Sequence, residues 1–318
     1  MEIIDNPTQG EIKKAAKALK DGHLVAFPTE TVYGLGADAT NGNAVSRIYS
    51  AKGRPTDHPL IVHISSINQL SKWAIDIPEH AIKLAKEFWP GPMTLILKRS
   101  DLAKDFITGG QNNVGVRVPA HPIALALLSE FEKLGGLGIA APSANRFGAV
   151  SPTTAEAVGE ELGSNLNLED QILDGGQCSL GIESTIIDFA STIPLILRPG
   201  TITIENICSH TGLKIMINAN ESQIKVPGLL KKHYSPKAKV ELNTIARPGD
   251  GLIALVDIPT PRGVIRLAKP ETVEDFAKNL YNALRLGDKK RIKQIVVITP
   301  SGLGLSEAIL DRLSKAAN

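Results

Sequence analysis

Residues 26–39 read AFPTETVYGLGADA. The stretch opens like a buried strand, with Leu24, Val25, Ala26 and Phe27, and breaks at Pro28. It then sets out Thr29, Glu30, Thr31 and Tyr33 before turning on Gly34 and Gly36. Polar side chains crowded at the end of an apolar strand, beside glycines that let a backbone approach a ligand, are how a site is built on a rigid scaffold. The stretch also contains Gly34-x-Gly36-x-x-Ala39, a loose match to the dinucleotide fingerprint, which Gly136-x-Gly138-x-x-Ala141 nearly repeats. That fingerprint needs a strand running into the first glycine and a helix opening at the last. Here Pro28 ends the strand, and residues 37–43 are rich in turn formers. A Rossmann cofactor site is not expected in the first half.

Outward from this stretch, Ile12, Ala15, Ala16 and Leu19 have helical spacing, and Gly22 stops that helix. Strands are predicted at 24–27, 60–64, 94–97, 114–118, 138–141, 172–173, 184–188 and 195–197, with helices at 44–51, 79–88, 122–132 and 154–162. Such an irregular mixture reads as one α/β domain on a mixed sheet rather than regular βαβ winding. Arg198-Pro199-Gly200 closes the pattern, followed by a short helix around 204–208. From 211 to 239 no long period holds, and VPGLLKKHYSPKAK reads as an extended linker. A second unit has strands at 252–256, 264–267 and 295–298. It adds a helix through Val273, Phe276, Ala277, Leu280, Tyr281 and Leu284, and a last helix at 305–316. This alternation predicts a small parallel, Rossmann-like sheet. Ser301-Gly302-Leu303-Gly304 before the last helix could seat a phosphate, but it lacks a Lys-Ser/Thr ending and reads as a plain turn.

A chain of 318 residues can hold two domains and a full core. Only 4% of residues are aromatic, a thin supply for base-stacking platforms. A net charge of +2 permits an anionic ligand without suggesting a broad phosphate-backbone footprint. Cys178 and Cys208 stand in unlike contexts, so neither a disulfide framework nor a zinc knuckle is implied. With no basic-then-apolar leader and no apolar run of membrane-spanning length, a cytoplasmic protein without a membrane partner is expected.

Lys52-Gly53-Arg54-Pro55 is read as an exposed loop carrying two fixed cations, Pro55 blocking helix continuation. His58 and His63 follow, but no third ligand lies near enough to make a zinc site. Arg117 sits inside the apolar strand VGVRVP and needs a partner, either an anionic ligand or an internal Asp or Glu. Ala141-Pro142-Ser143-Ala144-Asn145 repeats the strand-then-polar-loop logic. Ser143 lacks a nucleophile elbow and reads as a ligand contact. Ser184, Thr185 and Arg198 add hydroxyls and a further strand-end cation. No Walker loop and no dedicated metal cage is present in the sequence. The inventory suits an anionic nucleotide bound beside a small polar molecule, with any Mg²⁺ carried mostly by phosphates and water.

Taken together, PTETVYGLGADA, AKGRPTDHPLIVHI, FWPGPMTLIL, VGVRVPAHP, APSANRFGAVSPTT, GIESTIIDF, LRPG and PGLLKKHYSP closely resemble the YrdC family. The form resembled is the long, two-domain one, the threonylcarbamoyl-AMP synthases. NLYNALRLGD and GLGLSEAILDRLSKAA extend the resemblance into the second unit, which looks shorter than usual between Leu242 and Pro270. The resemblance implies an α/β protein: a YrdC-like twisted mixed sheet with helices over 1–205, a linker or lid over 206–239, and a small Rossmann-like domain over 240–318. It implies that L-threonine, bicarbonate and ATP are condensed to threonylcarbamoyl-adenylate with release of pyrophosphate. A separate transferase would then modify the adenosine beside the tRNA anticodon. By matching position, Thr31, His63, Arg117 and Ser143 would hold threonine, the arginine taking its carboxylate. Lys52, Arg54, His58, Ser143, Asn145, Ser184, Arg198 and Tyr234 would contact ATP, with Lys52 and Arg54 the catalytic pair. Tyr234 would close over the nucleotide from the linker and keep water from a labile carbamate. Mg²⁺ would ride on the ATP phosphates, no protein metal site is implied, and direct tRNA binding would be weak or absent. A rival reading, an RNA-binding translation-related module, is opposed by the near-neutral charge and few aromatics. A relative that uses carbamoyl phosphate is opposed by the missing zinc-finger cysteines and by the HYSP linker.

Overall fold

Strand Gly34–Asp38 lies near the middle of the main sheet, and its glycines explain why it reads as a turn. It pairs antiparallel with the preceding strand, Val25 opposite Gly36 and Phe27 opposite Gly34. A Cβ on Gly36 would stand 2.7 Å from Ile139 Cγ2 and 2.9 Å from Phe27 Cε1, so the missing side chain is what lets neighbouring strands pack. The computed structural model describes the whole chain except residues 191–193, 214, 218–223, 229 and 231.

In chain order the strands of this sheet are β1 (Glu2–Asp5), β2 (Val25–Phe27), β3 (Gly34–Asp38), β4 (Ile61–His63), β5 (Met93–Lys98) and β6 (Asn113–Arg117). They continue with β7 (Ile139–Ala140), β8 (Gln171–Asp174), β9 (Thr185–Asp188), β10 (Leu195–Arg198) and β11 (Met216–Ile217). Laterally they run β1-β8-β2-β3-β7-β4-β6-β5-β9-β10-β11, with parallel and antiparallel pairs mixed. The helices are α1 (Gln9–Lys20), α2 (Gly42–Lys52), α3 (Leu70–Trp73), α4 (Glu79–Phe88), α5 (Asp105–Thr108), α6 (Pro122–Lys133), α7 (Ala155–Leu162) and α8 (Ile204–Thr211). A second sheet follows, from β12 (Lys239–Leu242), β13 (Gly251–Ile253), β14 (Ile265–Ala268) and β15 (Gln294–Val297), flanked by α9 (Val273–Lys289) and α10 (Leu305–Ala316). Its order is β12-β15-β13-β14, all parallel, so the short stretch between Leu242 and Pro270 still completes a four-stranded sheet.

Local chemistry sets the ends of these elements. Thr8 and Glu11 form a reciprocal capping box at the start of α1. Asn41 caps α2 through Asn43 N and Ala44 N, and Gly53, at φ 61°, ends it one residue after Lys52. Alternate residues of β2 feed two cores. Ala26 packs with Leu35, Val45, Ile48 and Trp73 on one face, and Val25 and Phe27 pack with Leu127 and Phe131 under α1 and α6 on the other. A third core runs through both units, joining Val32, Val150, Ile182 and Tyr234 to Leu280, Tyr281, Val297 and Leu313.

The structure adds to or departs from these expectations in three places. β1 was not foreseen, because as an edge strand it buries only Ile4 and shows no alternation. β3 is a strand, not a turn, for the packing reason above. In the stretch 206–239, the short helix expected around 204–208 runs on to Thr211, carried by a Thr203–Asn206 capping box and ended by Gly212 at φ 69°, and β11, which the sequence did not show, joins β10 in the main sheet. Residues 214, 218–223, 229 and 231 of that stretch lie outside the described residues. No helix among the described residues is long and apolar enough to cross a membrane.

Candidate active site

Pro28 ends β2, and Thr29 ties the following turn together. Its Oγ1 donates to Val32 O at 2.6 Å and accepts from the amides of Thr31 and Val32 at 3.2 Å each. Thr31 Oγ1 lies 2.8 Å from Thr29 Oγ1, and both residues are buried. Across the sheet, His63 of β4 stands in register with Arg117 of β6. Arg117 answers the question its sequence left open, because its Nη2 donates to Glu30 Oε1 at 2.6 Å and to Thr31 Oγ1 at 3.1 Å. Glu30 Oε2 accepts from Ala120 N at 2.9 Å, so each carboxylate oxygen has its own donor. Arg117 Nε donates to Gly91 O, and Nη1 makes no hydrogen bond among the described residues. Its pairing is internal, yet one nitrogen is left over. The His63 ring meets Phe27 edge-on at 6.0 Å and its Nδ1 has no partner. Burial, aided by the Arg117 charge, pushes the His63 imidazole down to about 3, so it is neutral at pH 7.

Lys52 and Arg54 do not lie in an exposed loop. Lys52 closes α2, is 3% exposed, and donates from Nζ to Ser143 O at 2.6 Å and to Asn145 O. The helix end points the side chain inward, and burial with the nearby Arg54 charge depresses the ammonium well below its ordinary value. Arg54 is also buried, donating from Nη2 to Pro59 O at 2.8 Å with its guanidinium over the Phe147 ring. Burial lowers it to about 10, which leaves it cationic at neutral pH. His58 packs on Phe147 at 5.1 Å, on the outer side of the same cluster. Asn145 Nδ2 donates to Arg146 O and Ala149 O, and its Oδ1 is buried without a partner.

The remaining wall comes from β9, β10 and the 227–236 segment. Ser184 shares its hydroxyl with Thr94 at 2.8 Å. Arg198 donates to Ser184 O and Oγ at 2.9 and 3.1 Å, and from Nη1 to Pro227 O at 3.0 Å, which fixes the start of the segment. Tyr234 adopts φ 59°, stacks on Tyr281 at 5.7 Å, and has a buried Oη with no partner. Gly228, at φ 89°, faces that ring: a Cβ there would lie 2.2 Å from Tyr234 Oη. His233 is buried beside it and is pushed down to about 3 by that burial.

Thr31, Arg54, His63, Arg117, Ser143, Ser184, Arg198 and Tyr234 thus border one cavity. Lys52, His58 and Asn145 stand behind its wall, Lys52 acting on it through the Ser143 and Asn145 carbonyls. The cavity holds about 50 Å³, which at roughly 10–15 Å³ per water admits a few waters and no nucleotide. Sequence reasoning gave no role to Glu30, Glu183, Gly228 or Arg312. Glu183 lines the cavity and accepts from Ser151 Oγ (2.6 Å), Tyr281 Oη (2.9 Å) and Arg312 Nε (2.8 Å). Burial raises its carboxyl, but Arg312 and Arg198 outweigh that and hold it at about 2. The signal was present for Arg312, a lone cation in the apolar stripe of Ile309, Leu313 and Ala316. Glu183, the carboxylate that lines the cavity, and Glu30, which pairs with the lining Arg117, are both occupied by arginines, and among the described residues no cluster of His, Cys, Asp and Glu could hold a metal ion.

Residues 17–200 match the Sua5_yciO_yrdC family, described as Telomere recombination, and residues 202–318 match the domain described as Threonylcarbamoyl-AMP synthase, C-terminal domain. The curated Threonylcarbamoyl-AMP synthase of Pyrococcus abyssi is 42% identical over 336 residues, covering 100% of this chain and 97% of the relative. That of Bacillus subtilis is 41% identical, covering 99% and 95%. Among solved structures, P. abyssi Sua5 complexed with L-threonine superposes with a TM-score of 0.89 at 39% identity, covering 100% of this chain and 97% of that one. On the fold, on both matched regions and on these full-length likenesses, the chain belongs to the Sua5–YciO–YrdC family in its long, two-domain form.

Proposed function

We propose that the chain is an L-threonylcarbamoyladenylate synthase, condensing L-threonine, bicarbonate and ATP to threonylcarbamoyl-AMP and pyrophosphate for N6-threonylcarbamoyladenosine formation in tRNA. The observation that carries this reading is the pairing of neutral and cationic groups round one cavity. His63, with its unpartnered Nδ1, Arg117, Arg54, Ser184, Arg198 and Tyr234, with its unpartnered Oη, all line it. The names of the relatives and the threonine complex of the P. abyssi protein support it.

In this reading Arg117 Nη1 takes the amino acid carboxylate while Glu30 holds the guanidinium in one orientation. Neutral His63 and Thr31 face the rest of threonine, and Ser143 borders both substrates. The threonine amine adds to CO₂ with loss of a proton, or to bicarbonate with loss of water, and an oxygen of the resulting carbamate then attacks the α-phosphorus as the bond to pyrophosphate breaks and pyrophosphate leaves. No protein nucleophile is required, so this chain's part is positioning and charge stabilisation. Arg54 stands at the cavity for the phosphates, with Lys52, His58, Asn145, Ser184 and Arg198 supporting the nucleotide side. With Glu30 and Glu183 both ion-paired, Mg²⁺ would arrive on the triphosphate rather than on side chains.

The small cavity supports reading 206–239 as linker and lid between a catalytic 1–205 and a docked 240–318, with Pro227, Gly228, His233 and Tyr234 moving aside to admit ATP and Tyr234 returning over it. A transferase acting downstream would take the adenylate, tRNA would bind weakly or not at all, and the cytoplasm, where ATP and tRNA meet, is the expected compartment. The test is pyrophosphate release from ATP. It should require both L-threonine and bicarbonate, and release independent of threonine would refute the reading.

A further inference from the structure

Arg312 lies on α10 of the second unit, yet three of its neighbours belong to the cavity wall or stand next to it. It is 0% exposed. Nε donates to Glu183 Oε2 at 2.8 Å, Nη2 donates to Pro199 O at 2.9 Å, and the guanidinium carbon stands 5.4 Å from the centre of the Tyr234 ring. Glu183 precedes Ser184, Pro199 follows Arg198, and Tyr234 is the ring set over the cavity. The same helix also receives the lid backbone, because His233 N donates to Lys315 O at 3.1 Å. Asp311 anchors this arrangement by accepting from Arg312 Nη1 at 2.6 Å and from Lys315 Nζ at 2.7 Å.

We propose that Arg312 is a positioning residue for the reaction: one guanidinium from the second unit clamps the Ser184 strand end, the Arg198 strand end and Tyr234 in register, so that the lid returns to one defined position once ATP has entered. The inference rests on the proposed function for the identity of the nucleotide. It gives the second unit a task beyond being tethered, which is to complete the nucleotide wall. Three observations converge on it. The guanidinium is planar and forked, so it serves Glu183 from Nε and Pro199 from Nη2, two separate nitrogens at fixed positions that a lysine's single nitrogen does not reproduce. Two of the three side-chain donors to Glu183, Tyr281 and Arg312, come from the second unit and the third, Ser151, from the first, so the docked unit shares in setting its orientation. Tyr234, in a left-handed backbone conformation, is held between Tyr281 and Arg312 rather than by any hydrogen bond of its own hydroxyl.

A merely structural role is separable, because Arg285 also joins the two units. It donates from α9 to Glu161 at 3.1 Å and to Val150 O, and neither partner borders the cavity. The experiment compares Arg312→Lys, Tyr281→Phe and Arg285→Ala with the full wild-type chain, measuring ATP affinity by calorimetry and kcat and KM by pyrophosphate release. Loss of one charge-assisted contact predicts for Arg312→Lys an ATP Kd weaker and a kcat lower by on the order of tenfold each, with KM for threonine within about twofold. Tyr281→Phe keeps the stacked ring and loses one donor to Glu183, so ATP should bind about threefold more weakly even if the arginine variant fails to fold. For Arg285→Ala, kinetic constants within about twofold of wild type are expected. Wild-type ATP affinity in folded Arg312→Lys and in Tyr281→Phe would overturn the proposal. So would an Arg285→Ala loss equal to theirs. A wild type that binds ATP but releases no pyrophosphate refutes the reaction while the affinities still decide the clamp. A wild type that does not bind ATP refutes both.

Discussion

Replacing Glu30 by glutamine tests the buried pair on which threonine recognition is proposed to depend. The two Glu30 oxygens accept from different donors, Arg117 Nη2 at 2.6 Å and Ala120 N at 2.9 Å. A glutamine amide has one oxygen, so whichever donor it satisfies, its NH₂ faces the other. The lost Coulomb attraction is about 4 kcal/mol for unit charges 4 Å apart at an effective dielectric of about 20. A remaining neutral hydrogen bond returns about 1 kcal/mol, and the donor left facing a donor costs about 1–3 kcal/mol. Arg117 is 4% exposed and cannot regain water by small movements. The net loss should therefore fall in the range of about 3–5 kcal/mol seen when one partner of a buried pair is removed. Urea unfolding of Glu30→Gln, Arg117→Met and the double variant measures this directly. The double variant should be less damaged than the sum of the singles by about 2 kcal/mol or more. A Glu30→Gln loss below about 1 kcal/mol, or strict additivity, would refute the view that Glu30 fixes Arg117.

Lys52→Ala removes a buried stem at about 0.8 kcal/mol per methylene and leaves the Ser143 and Asn145 carbonyls without their donor, so it should melt well below wild type. Lys52→Met keeps the stem and should stay folded while turnover falls by roughly 10²–10³-fold, and a Lys52→Ala protein with the wild-type melting point would contradict this placement. His63 and His233 are each pushed from 6.5 down to about 3, so below pH 6.5 the unfolded chain binds protons that the folded chain refuses. Stability is full above that pH and should drop by roughly 1 kcal/mol per histidine at pH 5.5, read as a lower calorimetric midpoint; a midpoint unchanged between pH 7.5 and 5.5 refutes it. Gly36→Ala forces a methyl to within 2.7 Å of Ile139 and 2.9 Å of Phe27 and should lower the denaturation midpoint by about 1–3 kcal/mol; an unchanged midpoint would argue against β3.

Most of the fold was legible because its elements obey simple periods. Residues 79–88 and 305–316 carry helical stripes, and helices occupy those same positions. β3 was hidden because its room for neighbours comes from a glycine, and a glycine in a strand looks the same in sequence as a glycine in a turn. The polar motifs reported which residues gather at the cavity, since Thr31, Arg54, His63, Arg117, Ser143, Ser184, Arg198 and Tyr234 all border it. Burial was not legible for Lys52, because a lysine at a helix end followed by Gly-x-Pro is ordinarily solvated. Nor was the partner of Arg117, a neighbour in space that lies 87 residues away in sequence. Arg312 was the hardest to read, its meaning depending on a second unit docking against the first.

The lateral order of the main sheet bears on how this protein reaches its structure. Glu2 pairs with Gln171, Asp38 with Ile139, and Met93 with Thr185, so few neighbouring strands can zip locally as the chain collapses. Loop closure must precede the contacts that reward it, which slows formation of such a sheet. The four-stranded sheet draws on residues 239–297 alone, with α9 packed across β14, and carries much shorter separations. In refolding, the second unit should gain its helical signal early. The cavity wall, which needs Glu183 and Arg312 together, should assemble last, so recovery of nucleotide binding should trail recovery of secondary structure.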